Sequence, residues 1–292
     1  MAPLSEAQQE KRLSGIGSSE IAAVLGENPF KNAHHVWLVK RGLVEDSGET
    51  GKTWLGHVIE PALAEWYGQE TGRRVRRFGR TVRHRVHDFA LASPDYEVID
   101  AAERHLVECK VVGWRVEHHW DIHDPEGMPL YVLLQCQWQM GCTGAKRCDV
   151  VVLFLDDCER RIYELTFDAD LFAKMVAAAS DFWRRVLAGE APPIDGSEEA
   201  RLVLESIYQW KRAALKPAPP EAEELFARHM AASRVIKDAE AEKDLATNKL
   251  CELVGDADGI VGELAKFTWK KRVDGVRVAR LTPVKVTKEK AA

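Results

Sequence analysis

The chain has 292 residues, 46% of them apolar and 30% charged, with a formal net charge of −5. That length holds one large domain or a main domain with an appendage, and the apolar share supports a real core. No run approaches the roughly 20 apolar residues of a membrane span, and the opening MAPLSEAQQEKRLS has no signal-peptide core. Six cysteines over this length make no disulfide framework, and no C-x-x-C pair occurs. Cys136, Cys142 and Cys148 sit among apolar residues and read as buried free thiols. A soluble cytoplasmic protein is expected. Residues 1–14 are polar, with Arg12 near their end. In GIGSSEIAAVLGENPF, Ser18 or Ser19 is expected to cap a short helix over Glu20–Leu25, stopped by Gly26. Its N-terminal amides suit a phosphate. Asn32 starts a second helix with Val36, Trp37 and Val39 in the core, where His34 and His35 face different directions and make a poor metal pair. Lys52–Thr71 is amphipathic, with Leu55, Ile59, Leu63, Trp66 and Tyr67 at spacings of three and four. Glu60, just before Pro61, reads by itself as a solvent-facing charge.

Seven arginines and two histidines, without one acid, follow in GRRVRRFGRTVRHRVH from Gly72 to His87. This is either a solvated strand face or a surface for backbone phosphates. Arg83 and Arg85 alternate with Val82, His84 and Val86, which on a strand gives one strongly positive face. The stretch then enters FALASPDYEVIDAAERHLVECKVV. Phe89–Ala92 and Leu106–Val112 are apolar, β-leaning runs around a polar turn region, and a hairpin between them sets Asp95 beside the second run. Glu108 and Lys110 share a strand face, with Cys109 on the other. Two carboxylates and an ammonium on one surface call for a divalent counter-ion. Pro94-Asp95 followed by Glu108-x-Lys110 in an apolar strand resembles the metal-dependent PD-(D/E)XK nuclease signature.

Beyond it, His118, His119 and His123 lack the cysteines or second triad of a zinc site. Pro129–Gly144 is an apolar helix with Gln135 and Gln139 one turn apart on one face; such polar groups need partners, in packing or at a site. Asp149–Leu155 and Arg160–Phe167 form a hairpin, and Asp168–Leu187 a closing helix, giving a mixed α/β core. GEAPPIDGS marks a boundary, with one domain over 1–196 and an extension over 197–292. In the extension, Glu198–Leu215 and Glu221–Val254 read as a helical hairpin split by KPAPP. Leu225, Ala232, Ala239, Ala246 and Leu253 fall at steps of seven, with His229, Ile236, Lys243 and Leu250 in the other seam position. A basic β-hairpin about Asp274-Gly275 closes the chain.

Five blocks in order, R-x-x-GIGSSE, G-x-x-x-E-P at Glu60, ASPD, ECK and Q-x-Q-x-x-M, resemble the YqaJ-type viral recombinases, the family of phage lambda exonuclease. The resemblance covers roughly Lys11–Ile194. It implies a restriction-endonuclease-like α/β core, and digestion of double-stranded DNA from its 5′ ends to 5′ mononucleotides and a 3′ single strand. Carried over by residue, Asp95, Glu108, the Cys109 carbonyl and Glu60 would hold metal, and Lys110 would position or deprotonate water and steady the phosphorane charge. Arg12, Ser19 and Ser93 match positions on the DNA 5′-phosphate, and Gln135 the glutamine behind the site. The family's tyrosine three residues before that glutamine is replaced by Val132, with Tyr131 displaced by one. Oxygen ligands favour two Mg²⁺ ions, or Mn²⁺, over zinc. The resemblance further implies a ring-shaped trimer, a single-strand annealing protein as partner, and a phage or prophage origin. The rival readings are an endonuclease of the same superfamily and a non-catalytic DNA-binding scaffold.

Overall fold

A computed structural model describes residues 13–45, 51–121, 127–208, 215–271 and 275–284. Arg12, His123 and Asp274 lie outside the described residues. The chain divides into two compact units, Met1–Lys211 and Arg212–Ala292.

The first unit is built on a mixed sheet of order β1-β4-β5-β6-β7, comprising Val75–Arg77, Tyr96–Val98, His105–Val112, Arg147–Phe154 and Arg160–Thr166. β5 and β6 run parallel and the other neighbours are antiparallel. The parallel pair needs a long crossover, which α4 (Trp114–Glu117) and α5 (Leu130–Thr143) supply. Helix α5 starts after Pro129 and stops where Gly144 takes a left-handed φ of 74°, a conformation that glycine enters without Cβ strain.

The two faces of the sheet carry different partners. Leu106 and Val112 of β5, with Val150, Val152 and Phe154 of β6, pack against Val132, Cys136 and Met140 of α5. Val107 and Val151 face the other way, toward Leu63, Ala64 and Tyr67 of α3 (Gly51–Thr71). Each such buried side chain contributes roughly 1.5–3 kcal/mol. This second face also buries a polar knot. Asp149 Oδ2 accepts from Tyr67 Oη and Arg73 Nη1, both at 2.6 Å, while Oδ1 lies 2.9 Å from His105 Nε2. Burial, and then the Asp149 carboxylate, hold the Tyr67 hydroxyl well above its usual pKa.

Around the sheet, α1 (Ile21–Val24), α2 (Ala33–Lys40) and α6 (Ala169–Ala188) bury a further cluster of Ile21, Trp37, Leu38, Trp138, Met175 and Phe182. Asn32 caps α2 through the His35 amide and Asp168 caps α6 through that of Leu171, both at 2.9 Å. Helix α1 is different from expectation. Neither serine caps it; Glu20 is its N-cap, and Glu20 Oε2 instead takes the Gly17 amide and the buried Lys40 ammonium, each at 2.7 Å.

Two further expectations change. The run Phe89–Ala92 is not the hairpin partner of β5: Leu91–Ala92 (β3) pairs with Val82–Arg83 (β2) in a separate ribbon, and Tyr96–Val98 pairs with β5. Pro94, which has no N–H to give a ladder, separates the two segments. The arginine stretch likewise makes no single positive face. Arg73, Arg74 and Arg76 are spent on Asp149, Asp100 and Glu97. The β2 strand ends at Arg83, so Arg85 lies in a turn, next to a 76% exposed Val86.

Helix α7 (Glu198–Ile207), expected in the extension, packs in the first unit instead. Its Ala200 and Val203 are buried, Val203 joins the Trp37 cluster, and Asn32 donates to Glu199 at 3.0 Å. The division after Lys211 therefore lies one helix beyond residue 196. The second unit holds α8 (Pro220–Val254) and an antiparallel sheet β8-β9-β10, Gly259–Val261, Ala265–Lys271 and Arg277–Pro283. Arg277 stacks 3.7 Å over the Trp269 ring and donates to the carbonyls of Trp269, Gly255 and Ala257, so one residue of the basic tail is a structural clamp.

Candidate active site

The end of β4 and the middle of β5 bring the acidic residues together. Past the last β4–β5 pair, the Cys109 amide donates to Asp95 Oδ2 at 2.9 Å. Side chains alternate along β5, so Glu108 and Lys110 point to the α5 face, where α5 answers them. Lys110 Nζ donates to Glu108 Oε1 at 2.7 Å and to Gln135 Oε1 at 3.1 Å; Gln135 Nε2 closes the triangle on Glu108 Oε1 at 2.5 Å.

The electrostatics of this triangle are uneven. Burial, then repulsion from Glu108, raise the Asp95 carboxyl well above the usual carboxylate range; Lys110 and the Cys109 amide oppose this, and Glu60 adds to it. Burial works against the Lys110 ammonium, but the Glu108 and Asp95 carboxylates outweigh it and hold its pKa above the ordinary value. Lys110 is a fixed, charged donor in this arrangement.

Glu60 sits on the other side of β5. It lies on α3, where Cys109 Sγ approaches its carbonyl at 3.8 Å, and its carboxylate faces His57 Nδ1 at 3.6 Å and Arg77 Nη2 at 3.9 Å. Glu60 is buried rather than solvent-facing, and its charge reaches Asp95 and pushes the Tyr96 hydroxyl, already raised by burial, up to about 12. Ser93 is exposed and shares a 2.8 Å hydrogen bond with Thr81; Ser19 is exposed in the loop before α1.

Among the described residues, no three His, Cys, Asp or Glu side chains stand ready as a metal-holding group. The donor chemistry nevertheless fits a hard divalent cation. Asp95 and Glu108 offer carboxylate oxygens whose mutual repulsion, with that from Glu60, a cation would relieve.

One residue at the site lacked a role in the sequence. Gln139 is fully buried, donates to Glu108 Oε2 at 2.9 Å and lies 3.5 Å from Ser18 Oγ, while its Oε1 has no hydrogen-bond partner. The reverse amide orientation would set Oε1 against the Glu108 carboxylate. Its place one turn after Gln135 on an apolar helix was the available signal.

A carboxylate entering one strand of a sheet, an E-x-K on the next and a helix closing over them define a PD-(D/E)XK-type α/β core. The model of the YqaJ-like viral recombinase domain matches residues 9–146 of the chain. It is 28% identical over 201 residues to the uncharacterized protein YqaJ of Bacillus subtilis (strain 168), an alignment covering 68% of this chain and 61% of that protein. The chain thus spans about 61% of the length of that relative. Among solved structures it is similar to an alkaline exonuclease (LHK-Exo) from Laribacter hongkongensis, at 24% identity and a TM-score of 0.52, covering 64% of this chain and 94% of the other. The same values hold for LHK-Exo in complex with dAMP. These likenesses show the fold. No helix among the described residues is long and apolar enough to cross a membrane.

Proposed function

We propose that this protein is a metal-dependent 5′→3′ exonuclease on double-stranded DNA, producing 5′ mononucleotides and 3′ single-stranded tails for phage-type homologous recombination. The observation that carries the reading is the Lys110 ammonium held between Glu108 and Gln135 beside Asp95. Hydrolysis forms a bond from the water oxygen to phosphorus and breaks the bond from phosphorus to the O3′ of the end nucleotide. That nucleotide leaves with its 5′-phosphate and a new 3′-hydroxyl, and the shortened strand keeps a fresh 5′-phosphate.

Lys110 places a full positive charge where negative charge grows on the phosphoryl oxygens. Glu108 and Gln135 fix that ammonium so that no rearrangement is needed when the charge develops. Asp95 and Glu108, with the Cys109 carbonyl and Glu60, would hold Mg²⁺ or Mn²⁺. Bound there, such ions would supply an activated water and neutralise charge on the attacking and leaving oxygens. Arg12, Ser19 and Ser93 take the 5′-phosphate by charge-assisted and neutral hydrogen bonds, which selects an end without reading a sequence. The C-terminal unit serves oligomerisation, as a homotrimer, or docking of a single-strand annealing protein. The protein acts in the cytoplasm of a bacterial host.

Polarity is the direct test. On duplexes labelled at one end, Mg²⁺-dependent release of the 5′-terminal label as a mononucleotide, with the 3′-label kept on a long strand, is the expected result. Early release of the 3′-label, or internal fragments, would overturn the reading.

A further inference from the structure

Phe30 is 58% exposed in the turn between α1 and α2. Its backbone is fixed: Asn28 Oδ1 accepts the amides of Phe30 at 2.8 Å and Lys31 at 3.1 Å, a side-chain turn of the Asx kind. Its ring meets two others edge to face. The Tyr131 centroid is 5.6 Å away at 83°, and that of His119 is 6.0 Å away at 70°. Tyr131 and His119 are themselves 6.5 Å apart at 82°. An isolated exposed phenylalanine needs no explanation, but a ring braced by two others and still open over more than half its surface is a prepared stacking platform.

The platform adjoins the Lys110 site. Tyr131 lies one turn before Gln135 on α5, so both project along one helix face, and Gln135 is the group that accepts from Lys110. Burial raises the Tyr131 pKa and the Lys110 charge pulls against it, which sets the two within electrostatic reach. His119 follows α4 in the segment that leaves β5.

Resting on the nuclease reading, we propose that Phe30, Tyr131 and His119 form a nucleobase-stacking subsite for the end nucleotide whose phosphodiester lies at Lys110. Every base offers a π-face, so stacking grips a nucleotide without reading its identity. That suits an enzyme that must remove each base in turn. The subsite also gives Tyr131 a purpose unrelated to the tyrosine position that Val132 occupies.

The test is a cycle between protein and DNA. Binding of a 5′-phosphorylated duplex in Mg²⁺ is measured by anisotropy of a dye at the far end, with the Lys110→Ala chain to prevent hydrolysis. Phe30→Ala in that background is expected to weaken binding about tenfold, within the range of base–aromatic stacking. On a duplex whose 5′-terminal nucleotide is abasic, the same substitution should cost nothing further, and Phe30→Trp should bind the normal end like Phe30. Equal losses on normal and abasic ends, or no loss on either, would overturn the subsite while leaving the nuclease reading standing. No duplex binding by the Lys110→Ala chain or the wild-type chain would overturn both.

Discussion

In the proposed reaction the chemistry turns on Lys110, the charged donor that Glu108 and Gln135 hold in place. Lys110→Ala should lower the cleavage rate by about 10²-fold or more while DNA binding stays near that of the parent. Gln139 donates to Glu108, and a positioning role is expected from that bond. Gln139→Leu removes the donor from Glu108 Oε2 and leaves that oxygen unpaired, a cost of roughly 1–3 kcal/mol. The expected outcome is a lower Tm and a lower kcat with KM little changed; an unaltered kcat in a folded Gln139→Leu protein would remove the positioning role. Asp149 belongs to the other face of the sheet and serves stability. Asp149→Ala strands Arg73 and Tyr67 and should destabilise by about 3–5 kcal/mol, read by thermal denaturation, with the cleavage rate per folded molecule unchanged.

At the level of elements, the periodic and capped segments were legible from residues alone. Asn32, Asp168, Pro129 and Gly144 bound helices α2, α6 and α5 as their types demand. The alternation in ECK set Glu108 and Lys110 on one face. What was not legible depended on pairing at a distance. Glu20 looks like an ordinary helix-start acid, and only the fold brings Lys40 to it. The arginine run looked like a phosphate face because Asp149, Asp100 and Glu97, its actual partners, lie 26 to 76 residues away or on the neighbouring strand. Gly141 gave no sign of its role: a Cβ there would lie 2.1 Å from the Phe172 ring, so α5 and α6 meet through the missing side chain. Gly141→Ala, although it favours helix locally, should therefore lower the Tm, and a raised Tm would contradict this packing.

For the whole molecule, the division after Lys211 has a consequence that a cut at 196 does not. A chain ending at Lys211 keeps Ala200 and Val203 in the first unit, whereas one ending at Gly196 uncovers the Trp37 cluster. The first truncation should melt cooperatively near the parent temperature and the second should be markedly less stable. Helix α8 leaves Leu225, Ile236 and Leu253 of the heptad exposed, together with Phe226, Met230 and Val235. If that helix is the oligomerisation arm, the chain ending at Lys211 should sediment as a smaller species than the full chain; equal assembly would remove that role.

The proposed activity is cutting of DNA from an end with Lys110 at the point of chemistry. The most direct measurement incubates the full chain with Mg²⁺ and a 5′-phosphorylated linear duplex beside the same sequence as a covalently closed circle, with Lys110→Ala in parallel. Mononucleotides from the linear duplex alone, absent with the variant, is the predicted result. Cutting of the circle would make the protein an endonuclease, and full cleavage by Lys110→Ala, or none by the parent with Mg²⁺ or Mn²⁺, would rule out Lys110-dependent cleavage from an end.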